Sequence, residues 1–247
     1  MGLIDLFKPQ RAQIKETKSA LEAANDPTVD DGTASRAVGQ VMGMLLDIGL
    51  DGRGPIKSAA QVASAAKKEE PTREEAVRAV ARGTMYRGAV GGFVTGMGGF
   101  VTMPIALPAN ILEFYVQATR MVGAIASLRG YDLNDERIRT AVLLTLVGSK
   151  SDDVLKKAGM STGGGRVASL AMRNMPPAAL MVVNKAVGFR LMRGVSEKVL
   201  SRFGRGIPVA GGLVGSGIDG FMMKKIADQA MKEFPAVAKP SSDLPPA

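Results

Sequence analysis

The 247-residue chain contains no cysteine, no histidine and no tryptophan, and aromatic residues make up only 4% of it. Without cysteine there is no disulfide and no thiolate nucleophile. Without histidine, Ser-His-Asp and Cys-His catalysis, most zinc sites and imidazole pH switching are excluded. Any chemistry must run on Lys, Asp or Glu, or on a metal held by oxygen ligands. Scarce aromatics leave little material for base stacking or for interfacial belts. An alternating strand pattern is also missing, so the expected fold class is all-α: a multi-helix bundle built around Gly-zipper helices and a Pro-bent apolar hairpin.

The opening Met1–Lys8 lacks a basic start and a small-residue cleavage site, and Leu6 stands where a myristoylation motif needs Ser or Thr. The expected location is therefore cytoplasmic, with peripheral attachment at the inner face of the cell membrane as an extension of that reading.

What is present begins with one uncharged stretch, Gly88 to Leu112. Gly88, Gly92 and Gly96 recur every four residues, which strips side chains from one helical stripe. A second such row is Gly212, Ser216 and Gly220. Small residues at this spacing let another helix backbone approach closely. Glycine costs roughly 1 kcal/mol in a helix interior, so repeated glycines call for compensation by packing. Pro104 and Pro108 split the first stretch. Its pieces are too short to span a bilayer singly, so a re-entrant hairpin and a tightly packed core both remain open.

Charge is concentrated. The chain carries a net +9, and residues 166–205 hold eight basic side chains against the single acid Glu197. Phe189, Met192, Val195, Val199 and Phe203 fall on one face of a helix. Arg190, Arg193, Lys198, Arg202 and Arg205 spread over the rest. That helix suits an anionic membrane or a membrane-protein partner, and equally a solvated surface with its apolar face in the core. Nucleic acid is disfavoured, because no recognised motif accompanies the charge.

Helices are expected over 9–24, 35–47, 56–70, from 72, over 109–128 and 136–148, from 177 to about 203, and up to about 233. Thr72 and Glu75 have capping-box spacing. The helix 109–128 carries a narrow polar stripe of Asn110, Glu113, Gln117, Arg120 and Ser127. Asp219 is the only charge between Gly206 and Met223. Buried alone it would be costly, so Glu113, Arg120 and Asp219 form a candidate polar network. The alternative is a soluble ligand- or metal-binding protein, or an enzyme, with a carboxylate site near Glu113 and Asp219. The segment 215–220 formally matches GxGxxG, but no strand precedes it and the tail follows. No cofactor, no metal ligand set and no catalytic residue is assigned.

Residues 92–148, GFVTGMGGFVTMPIALPANILEFYVQATRMVGAIASLRGYDLNDERIRTAVLLTLVG, resemble the central signature of the EcsC family of bacterial proteins. IPVAGGLVGSGIDGFMMKKIADQA (207–230) is similar to its closing segment, and GRGPIKSAAQVA (52–63) also fits. The resemblance covers about residues 35–233. It leaves a charged N-terminal extension and linker, 1–34, and a Pro-rich tail, 234–247, expected to be disordered. It implies a helical fold and an association with membranes or with ABC-transporter-like membrane proteins. It carries no active-site residues.

Overall fold

The computed structural model describes residues 31–90, 109–147, 155, 180–191 and 212–237. Among them the architecture is all helical. The helices are α1 (Asp31–Met44), a π-helical turn (Leu45–Leu50), α2 (Ala59–Glu69), α3 (Arg73–Val90), α4 (Ala109–Leu128), α5 (Glu136–Leu146) and α6 (Gly212–Glu233). Residues 180–191 are helical as well. The calls that rest on Gly92, Gly96, Arg193, Lys198, Arg202 and Arg205 lie outside the described residues, as do 1–30 and the end of the tail.

Local sequence sets the helix ends. Ser58 caps α2: its hydroxyl accepts from the Gln61 amide at 3.1 Å, and the Gln61 side chain accepts from the Ser58 amide at 2.9 Å. At α3 the Glu75 amide donates to the Thr72 hydroxyl at 3.2 Å. The Glu75 carboxylate, however, accepts from that same hydroxyl at 2.6 Å rather than from the Thr72 amide. Asp135 caps α5, accepting from the Arg137 amide. The Arg137 guanidinium beside Asp135 holds that carboxyl below its ordinary pKa.

The segment LDGRGP ends the π turn that continues α1, as its turn residues imply. Asp51 donates to Leu46 at 2.9 Å, closing a π-type ring, and Arg53 and Ile56 exchange backbone hydrogen bonds around Gly54. Gly52 has φ +78°, and a side chain there would strike the Ile56 carbonyl and the Ser58 amide. Arg139 of α5 then clamps this loop with two bonds to Asp51, at 2.8 and 2.6 Å.

The helix α4 is the central element, packing against α2, α3, α5, α6 and the π turn. Its buried residues include Leu112, Val116, Met121, Val122 and Ile125, and α5 contributes Ile138, Leu143 and Leu144. Close packing runs through Gly49, Gly123 and Gly188. A Cβ on Gly49 would sit 2.8 Å from Thr119 Cβ, and one on Gly123 2.8 Å from Ala59 Cβ and into Leu50. One on Gly188 would strike Val38, which puts the helix 180–191 against α1. At Gly220, by contrast, an added Cβ meets nothing within 4 Å.

Candidate functional site

Two polar constellations stand out. The first joins three helix ends at Arg129, just beyond α4. Its Nη1 donates to the carbonyls of Met231 at 2.6 Å and Phe234 at 2.7 Å, and Nη2 donates to Glu74 at 2.7 Å. The guanidinium thus satisfies carbonyls at the C-terminus of α6 and meets the acid of the first turn of α3. Arg129 is 8% exposed, so water cannot substitute readily for these bonds. The Val237 amide donates to the Arg129 carbonyl at 2.9 Å, and Tyr131 packs edge-on against Phe234. Phe234 and Val237, assigned by sequence to the tail, are therefore packed on the bundle.

This clasp fixes helix direction. Glu74 near the start of α3 meets the end of α4, while Thr84 shares a surface depression with Gln117, Arg120 and Met121 of α4. Hence α3 and α4 run antiparallel. The end of α6 lies at the end of α4, so α4 and α6 run the same way.

The second constellation is the stripe on α4. Gln117 is buried and donates to the Glu113 carboxylate at 3.1 Å. Burial pushes the Glu113 pKa up, partly offset by that hydrogen bond. Arg120 is half-buried one turn on. Asp219 is half-buried on α6, which packs on α4. The helix α6 begins with Gly212 and Ser216, and Gly88 lies near the end of α3. The depression beside Arg120, lined by Val62, Thr84, Gln117 and Met121, measures about 10 Å³, room for about one water. Among the described residues no group of three or more Asp or Glu could hold a metal ion, and no helix is long and apolar enough to cross a membrane.

Of the basic residues, Arg190 is half-buried on the helix 180–191, whose Met181 and Val182 are exposed at 75% and 48%. Lys185 Nζ lies 5.9 Å from the Phe189 ring centroid.

Arg129 was not legible as a site residue. A basic residue before glycine at a helix end hints at C-terminal capping, but its partners lie 55 to 105 positions away. No curated protein and no solved structure matches the chain. The family model described as the EcsC protein family matches residues 56–235, from the turn before α2 to the residue after Phe234, and the chain belongs to that family.

Proposed function

We propose that this protein is a non-enzymatic, membrane-associated accessory protein that binds the anionic inner face of the cell membrane through its basic helix. Arg190, Arg193, Lys198, Arg202 and Arg205 supply the charge. The observation that supports this reading is that the helix 180–191, which leads in sequence into that run of charge and carries Arg190, exposes the apolar side chains of Met181 and Val182. Each basic residue near an anionic surface contributes about 1 kcal/mol, and exposed apolar groups add burial in the headgroup region. The binding is electrostatic and peripheral. A triple substitution of Arg190, Arg193 and Arg202 by Gln tests it. The variant loses flotation with phosphatidylglycerol vesicles while keeping its melting temperature. Undiminished flotation contradicts this assignment of the contact.

One observation favours a second reading. Burial raises the Glu113 pKa, as it does for carboxylates that bind or move protons. A ligand or metal site on Glu113 and Asp219 predicts that millimolar Mg²⁺ raises the melting temperature of the native protein and not that of Glu113→Gln.

A further inference from the structure

The helices α3 and α6 pack against each other, and both pack on α4. They run antiparallel, since α3 opposes α4 and α6 follows it. Their apolar positions face inward: Val77, Val80 and Ala81 are buried on α3, and Met223, Ile226 and Ala230 on α6. At 3.6 residues per turn, the opposite side of each helix is left to solvent.

That outer side is sorted by charge. From Arg73 to Tyr86 the exposed residues of α3 are Arg73, Arg78, Arg82 and Tyr86. From Asp219 to Glu233 those of α6 are Phe221, Lys224, Lys225, Asp228 and Lys232. Asp228 is the single exposed acid on these two lengths, and it pairs with Lys224 at 2.6 Å. Their other acids, Glu74, Glu75, Asp219 and Glu233, are half-buried or buried. Exposed acids lie instead on other elements, at Asp47, Asp51, Glu69, Asp132 and Glu136. Arg78 and Arg82 have no carboxylate partner among the described residues.

Arg78, Arg82 and Tyr86 recur every four residues, about 6 Å apart along one stripe of α3. Lys232, Lys225 and Phe221 share one face of α6 in the same order, counted from the Arg129 clasp. Both stripes therefore run from cations to an aromatic ring in one direction. Tyr86 is 73% exposed and Phe221 60%, and Lys225 Nζ lies 4.9 Å from the Phe221 ring centroid.

Carboxylates four residues apart on another helix recur at the same spacing of about 6 Å. A helix laid along this face sets an acid over each arginine and an apolar side chain against the rings. A bilayer fits this face less well. A helix lying in a membrane interface enters it with its apolar side, and those of α3 and α6 are already buried in the bundle.

We infer that the outer face of α3 and α6 docks an acidic amphipathic helix of a partner protein, with carboxylates on Arg78, Arg82 and Lys225 and an apolar side chain against Tyr86 and Phe221. This contact uses none of the residues assigned to the membrane.

The probe is an Ala-rich helical peptide of about 15 residues with Glu in two successive turns of one stripe and Trp in the next. The chain has no tryptophan, so the anisotropy of the peptide's ring reports binding without background. The native protein binds it saturably at low salt. Arg78→Gln with Arg82→Gln weakens binding about fivefold, and Phe221→Ala weakens it as well. Arg53→Gln with Lys57→Gln removes the same charge from the exposed loop before α2 and leaves binding unchanged. All these positions are exposed, so the variants keep the native melting temperature. A peptide of the same composition with its Glu residues scattered round the helix binds more weakly. No saturable binding, equal binding of the two peptides, or equal losses in the two double variants overturns the proposal. If the Arg78 and Arg82 variant binds peptide like the native protein but no longer floats with phosphatidylglycerol vesicles, the face contacts lipid and the protein partner is overturned. Loss of flotation by the native protein leaves the peptide result standing and overturns only the membrane reading.

Discussion

Arg129 replaces solvent for two main-chain carbonyls and binds Glu74, all at a site water hardly reaches. Arg129→Met leaves those carbonyls without their donors and costs about 3 kcal/mol in urea unfolding. Glu74 is half exposed, so Glu74→Gln costs less than about 1 kcal/mol. Equal losses for the two would show that the ion pair, not the carbonyl capping, carries the energy. Glu113 makes a pH prediction. Its folded-state pKa is raised, chiefly by burial. The folded state therefore holds the proton more tightly than the unfolded one. Stability from this group is fully present below the unfolded pKa and is lost as pH rises through the folded value. Glu113→Gln keeps an oxygen for the Gln117 amide, so it melts higher than the native protein at pH 7. The gap closes in acid, where the native carboxyl is protonated. A gap independent of pH contradicts the burial account. Neither residue was equally readable: Glu113 stood out as a charge in an apolar stripe, whereas Arg129 depends on contacts no local pattern encodes.

Among the helices, the surroundings of each described glycine decide what a side chain there would cost. A Cβ on Gly123 would meet Ala59 Cβ at 2.8 Å. Gly123→Ala destabilises by about 1–3 kcal/mol despite the gain in helix propensity. Gly220 belongs to a Gly-xxx-Ser-xxx-Gly row, but no atom lies within 4 Å of an added Cβ. Gly220→Ala stabilises by about 0.5–1 kcal/mol. Thermal or urea unfolding of both decides whether close approach or spacing governs. Signs reversed between the two would contradict this account of their surroundings. The helices α4 and α5 were legible almost to the residue, because a polar stripe and an Asp cap mark them. The π turn was not: Leu45–Leu50 reads as more helix or as loop, and only the fit of Gly49 against Thr119 selects the wider turn. Helix packing also bears on Asp219. Asp219 and Arg120 lie on helices that pack against each other, α6 and α4. Pairing of the two predicts a coupling of about 0.5–3 kcal/mol in a double-mutant cycle of Asp219→Asn with Arg120→Gln. Additive losses contradict the pairing.

At the scale of the whole molecule, the described helices have two unlike ends. One is closed by a buried arginine, main-chain carbonyls and the packed ring of Phe234. The other holds the end of α3 at Val90 and the start of α4 at Ala109. A chain without histidine or cysteine has few routes to catalysis, and its most legible feature is the placement of positive charge. The most direct test of the membrane reading is flotation of the native protein with phosphatidylglycerol and with neutral phosphatidylcholine vesicles, each at low and high salt. Exposed charges separated by more than about 8 Å are largely screened at physiological ionic strength. The account predicts flotation with phosphatidylglycerol alone, strong at low salt and largely lost at high salt. Equal flotation with both lipids, or none with either, would contradict it.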